Sequence, residues 1–157
     1  MKDQAYAASK KLSTSVPSRE AWGSLDDLDV KYAFNFYGGK SIKDLASDLI
    51  YNPIERVDEL RFSPWAVFSY YIFWFVEFLT SDESKGEPDC ASCFLHLVLE
   101  KAQAEPRMFK KLYPHLKLAI DIVAGRQEFY EAPVHIYGLF SDYKQGIEAE
   151  VAKKKRG

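Results

Sequence analysis

From Phe62 to Val76 the chain carries no charge at all, and half of the residues between Phe62 and Leu79 are aromatic, against 15% for the whole chain. No other segment constrains the fold as strongly. A membrane span needs about 20 predominantly apolar residues. Here Arg61 and Glu77 bound a shorter stretch, Ser63, Ser69, Tyr70 and Tyr71 dilute it, and an acid inside a span costs about 2.5 to 3.5 kcal/mol. Ser63-Pro64 is a good helix start, because a serine oxygen accepts from an early backbone N–H and proline suits the first turn. At about 100° per residue, Trp65, Val67, Phe68, Tyr71, Ile72, Trp74, Phe75, Val76, Phe78 and Leu79 sweep about 200° of the helix surface. Ala66, Ser69, Glu77 and Thr80 share the remaining stripe with Tyr70 and Phe73. An arc that wide predicts a helix covered by neighbours on most sides.

A chain of 157 residues, 47% hydrophobic and 28% charged, has the length and composition of one globular domain with a sizeable core. The N-terminus lacks an apolar stretch of signal-peptide length. Two cysteines are too few for a disulfide framework, so a cytoplasmic protein is expected. The net charge of −2 conceals an asymmetry: residues 24–89 hold 13 acids against 6 Lys or Arg, a net of −7, and the remainder holds 10 against 15, a net of +5. Such an imbalance steers a basic partner toward one half of the molecule. No basic stripe with interleaved aromatics is present, so nucleic-acid binding is not expected. The basic tail Lys153-Lys-Lys-Arg156 reads as complement to the dipole of a final helix.

Along the chain, residues 1–23 read as a polar arm, possessing no period, that Trp22 pins to the core. Residues 24–157 read as a single helical domain. A first helix is expected from Ser24, with Asp27 at the capping-box position, to Gly38-Gly39. Ser41 caps a second, whose Ile42, Leu45, Ala46, Leu49 and Ile50 recur at helical spacing. Asn52-Pro53 starts a third, with Ile54, Val57 and Leu60 on one face. Ser81 to Asp89 reads as a long acidic loop. Cys93, Phe94, Leu97 and Val98 mark a helix to about Ala104. Pro106 and Pro114 each suit a first turn, and Leu116, Ala119, Ile120 and Val123 form an apolar face before Gly125. Residues 126–132 extend that helix or break it at the glycine. Ile136, Leu139, Phe140, Tyr143, Ile147 and Val151 predict a long last helix. No segment alternates with a strand's period. The expectation is an all-α, irregular bundle of seven or eight helices around a central aromatic helix at about 64–80.

Only one motif has a chemical precedent. In Cys90-Ala-Ser-Cys93, followed by His96, a helix N-terminus can lower a thiolate's pKa, as thiol–disulfide exchange requires. The arrangement resembles the all-helical alkylhydroperoxidase type, in which three residues separate the second cysteine from the histidine. Here only Phe94 and Leu95 do. Glu87 and Asp89 oppose a thiolate at this position. The same residues supply at most three zinc ligands where a closed site needs four. His96, His115 and His135 belong to different expected helices. Glu55 and Glu59, at i and i+4, read as a solvated helix face. Gly38-Gly39-Lys40-Ser41 lacks the spacing and preceding strand of a phosphate loop and reads as a turn with a cap. No metal or cofactor is expected.

The sequence therefore points to a non-catalytic protein-binding domain. The specific expectation is an immunity-type protein that neutralises a cognate bacterial toxin by occlusion. Asp26, Asp27, Asp29, Asp82, Glu83, Glu87 and Asp89 would supply the charges that steer a basic protein partner, with exposed aromatics as anchors. The alternatives are a thiol-redox enzyme using Cys90, Cys93 and His96, and a structural or regulatory homodimer that buries surplus aromatic surface.

Overall fold

The computed structural model describes residues 15–48 and 51–153. Seven α-helices and no strand occur among the described residues: α1 (Leu28–Tyr37), α2 (Pro53–Arg61), α3 (Trp65–Leu79), α4 (Pro88–Ala104), α5 (Pro106–Gly125), α6 (Val134–Tyr137) and α7 (Phe140–Ala152). Short 3-10 turns occupy Arg19–Trp22 and Asp82–Ser84. The aromatic run forms α3, with ten of its residues buried. It packs against α2, α4, α5 and both 3-10 turns, while α4, α5 and α7 pack on one another. Glu77 and Ala66 are its exposed residues. Phe73, Tyr70 and Thr80, expected on the thin stripe, are buried, because the neighbouring segments wrap farther round the helix than its own pattern requires. Trp22 belongs to the same core, edge-on to Phe34 at 5.3 Å. No helix among the described residues is long and apolar enough to cross a membrane.

Local chemistry sets most of the helix ends. Asp27 caps α1, its Oδ1 accepting from the backbone N–H of Asp29 at 2.8 Å and of Val30 at 3.3 Å. The helix thus starts four residues later than Ser24, whose Oγ accepts from Asp26 N in a turn. Asn52 caps α2 by accepting from Glu55 N. Ser63 does not cap α3. Its hydroxyl donates to Glu59 O at 2.7 Å and closes the preceding helix, leaving the carbonyl of Pro64 to accept from Val67 and Phe68. The far end of α3 is held from outside, since Tyr130 OH donates to Leu79 O at 2.7 Å and Arg126 donates to the same oxygen.

Three sequence expectations change. The second predicted helix is a series of turns over 42–48. Its capping box does form, with Asp44 N donating to Ser41 Oγ and Ser41 N to Asp44 Oδ2. Backbone bonds mostly of the i→i+3 kind follow, and Leu49 and Ile50 lie outside the described residues. Pro114 does not begin a helix but lies inside α5. An interior proline costs about 3 kcal/mol, and burial of Phe109 and Leu112 before it and Leu116, Ile120 and Val123 after it keeps the helix continuous. Pro114 itself is exposed. Finally, Gly138, at φ 75°, breaks the long last helix into α6 and α7. Gln127 secures that break by donating to Ala132 O and Gly138 O and accepting from Phe140 N. Residues 126–131 are turns, so the segment breaks the helix at the glycine. Of the basic tail, Lys153 pairs with Glu150 at 2.8 Å, and residues 154–157 lie outside the described residues.

Candidate partner-binding surface

The Asp27 cap puts Leu28 and Tyr32, one turn apart, on the outside of α1. Leu28 is 79% exposed and Tyr32 55%. Tyr32 donates its hydroxyl proton to Glu55 Oε1, and Asn52 Nδ2 donates to the other oxygen of that carboxylate. That bond, followed by the charge of Glu55, raises the Tyr32 pKa above the usual phenol value. It also ties α1 to the first turn of α2, where Ile54 is 55% exposed, while Tyr51, just before the Asn52 cap, is 81% exposed. Four large apolar side chains thus lie within four residues of one end of this link. Ile54 was expected to share the core face of its helix. Val57 and Leu60 are buried there, but Ile54, in the first turn, is exposed.

Directly beneath, one carboxylate departs from its expected place. Glu59, read from sequence as solvated, is 4% exposed. Arg56 Nε lies 2.7 Å from Glu59 Oε1, out of line for a good hydrogen bond. The guanidinium stacks 3.5 Å over the ring of Phe36, and Tyr37 OH donates to Arg56 O at 3.0 Å. Burial pushes the Glu59 carboxyl up to about 7, against the pull of Arg56. The α1–α2 face is therefore backed by a packed polar layer.

A second feature opens where the 42–48 turns meet α3. Ile42 and Ala46 form one wall, Trp74, Glu77 and Phe78 line the helix side, and Glu83 stands beyond the end of α3, enclosing a cleft of about 140 Å³. Its frame is well tied. Ile42 N donates to Tyr70 OH, the one proton of Tyr71 OH is shared between Tyr37 O and Lys40 O at 2.7 Å each, and that of Ser84 Oγ between Leu79 O and Ser81 O. Among the described residues, neither Glu77 nor Glu83 has an ion pair or a side-chain hydrogen bond, and Trp74 Nε1 is buried without a partner.

The seven acids named from sequence take several local roles. Asp26 and Asp29 are exposed at the start of α1, and Asp27 is engaged as its cap. Asp82 and Glu83 are exposed on their 3-10 turn, and Glu83 reaches the cleft. Glu87 is half-buried before Pro88, and Asp89 accepts from Tyr137 OH at 2.7 Å. Glu77, on the thin stripe of α3, is exposed and shares the cleft with Glu83. Leu28 and Tyr51 had no sequence signal, since each follows a cap or turn without belonging to a regular apolar stripe.

Cys90 and Cys93 are free thiols in the first turns of α4. Cys90 is 1% exposed, and burial raises its pKa well above the ordinary thiol value. Cys93 is pushed up to about 11, by burial and then by the charge of Asp89. His96 is exposed and packs on Tyr143 with ring centres 4.4 Å apart. No group of three His, Cys, Asp or Glu among the described residues is placed to hold a metal. Compared with known proteins, the chain matches no family model, no curated protein and no solved structure.

Proposed function

We propose that this protein is a non-catalytic binding domain that occludes a basic partner protein, as an immunity protein neutralises its cognate toxin. The observation that carries this reading is the exposure of Leu28, Tyr32, Tyr51 and Ile54 around the Tyr32–Glu55 link. Large apolar side chains concentrated on one face are what protein interfaces bury, and tyrosines are frequent energetic anchors. Asp26, Asp29 and Glu55 surround them with negative charge, which speeds encounter with a basic surface and disfavours acidic competitors. The thiols offer the redox alternative little support, because exchange needs an accessible thiolate of lowered pKa and burial acts on both cysteines in the opposite sense.

The test is co-expression with the product of the neighbouring open reading frame, followed by binding of the two purified proteins. Rescue of a host that the product alone kills, with affinity lost on Leu28→Ser/Tyr51→Ser and association slowed by Asp26→Lys/Asp29→Lys, is the expected result. Full protection by both double variants would refute this surface.

A further inference from the structure

The cleft beside α3 has a chemistry of its own. Half-buried Phe78 and Trp74, itself only 2% exposed, line it together with the carboxylates of Glu77 and Glu83. Those carboxylates have no cation among the described residues, although ion pairs form elsewhere on this surface, such as Arg61 with Glu100 at 2.6 Å. At about 140 Å³ the cleft is smaller than the roughly 300 to 1,000 Å³ of pockets that take drug-sized ligands and cofactors. Its scale is that of a single side chain.

We propose that this cleft receives the side chain of an arginine presented by a polypeptide partner. A guanidinium is planar, weakly hydrated and carries five N–H donors in a fixed fork, so it can lie against an aromatic face while its edge meets carboxylates. A lysine ammonium has the charge without the plane, and its tighter hydration is harder to shed against Trp74 and Phe78. The aliphatic part of an arginine would pass between Ile42 and Ala46, which carry no competing polar group at that wall. The position is prepared in advance: Ile42 is tethered through its N–H to Tyr70 OH, and the turn bearing Glu83 is anchored by Ser84 Oγ, whose one proton is shared between Ser81 O and Leu79 O at the end of α3. Little of the protein needs to be ordered on binding, which favours affinity for a small group.

The inference rests on the reading of a basic protein partner for the source of the arginine, but the cleft can be tested without that partner. The probes are the blocked tripeptide acetyl-Gly-Arg-Gly-amide, its lysine and citrulline counterparts, and free arginine. Binding is followed through the Trp74 indole N–H resonance, assigned with Trp74→Phe. The arginine peptide is expected to shift this signal, and the citrulline peptide, equal in shape but uncharged, to bind at least about tenfold more weakly. Glu77→Gln/Glu83→Gln should cause a similar loss, while Leu28→Ser/Tyr51→Ser leaves binding unchanged, separating the cleft from the α1–α2 face. Equal binding of the arginine and citrulline peptides to the unaltered protein would overturn the proposal, whatever the variants do. No shift with any probe would overturn it too, and free arginine binding as tightly as the peptide would replace the polypeptide with a small guanidino ligand.

Discussion

Replacing Glu59 by glutamine should flatten the dependence of stability on pH. The Glu59 carboxyl is raised from an ordinary 4.5 to about 7 in the folded protein, so the native state holds its proton more tightly than the unfolded chain does. For an acid shifted in this direction, the native state is favoured while the group is protonated. That advantage falls away as pH rises from about 4.5 to about 7 and is constant beyond. At about 1.4 kcal/mol per pH unit, the shift corresponds to at most about 3 kcal/mol, or roughly 6 to 12 °C in Tm for a domain of this size. Glutamine preserves the shape and cannot ionise, and Glu55, with Oε1 3.4 Å from Arg56 Nη2, still faces the guanidinium. Thermal unfolding followed by circular dichroism at pH 5, 6, 7 and 8 tests this. Wild type should lose several degrees relative to Glu59→Gln between pH 5 and pH 8, with groups common to both cancelling in the difference. A difference in Tm that is the same at all four pH values would refute the argument that burial dominates over Arg56 at this site.

Other expected outcomes follow from single contacts. Gly86 sits at φ 73°, and a β-carbon there would stand 2.4 Å from Oε2 of the exposed Glu131 side chain, which can swing aside; Gly86→Ala should cost about 1 to 2 kcal/mol from the backbone alone, measured by urea unfolding, and Glu131→Ala should restore little of it. Tyr130→Phe removes one of three side-chain donors to Leu79 O, and because Arg126 and Ser84 keep that carbonyl paired the loss should be about 1 kcal/mol, rising when Arg126→Met is added. In the native protein both thiols should react slowly with a disulfide reagent at pH 8, Cys93 before the more deeply buried Cys90, and rapidly in denaturant; fast native labelling of Cys90 would contradict its packing.

The parts of this structure that sequence makes visible are those set by neighbours along the chain. Asn52-Pro53 predicts the start of α2, and the uncharged aromatic stretch predicts a buried α3, because caps and apolar arcs act over a few residues. The turns at 42–48 carry a better helical pattern than α1, yet they do not form a regular helix. The capping box at Ser41 and Asp44 forms locally, while Tyr70 and Tyr71 tie the chain to α3 at the start of the segment by binding Ile42 N and Lys40 O. Pro114 shows the reverse case, in which tertiary burial on both sides carries a helix through a residue that locally argues for a break.

The candidate surfaces divide in the same way. Residue type alone made the middle of the chain acidic and rich in aromatics, and so determined that any binding face there would be negative and apolar. Which acids are buried, paired or free was decided by packing: Glu59 entered the core beside Arg56, Asp89 met Tyr137, and Glu77 was brought to Glu83 across the end of α3. Residue type does not distinguish these carboxylates. What differs is the dielectric and the partner that the fold places within a few ångströms, and those depend on segments distant in the chain.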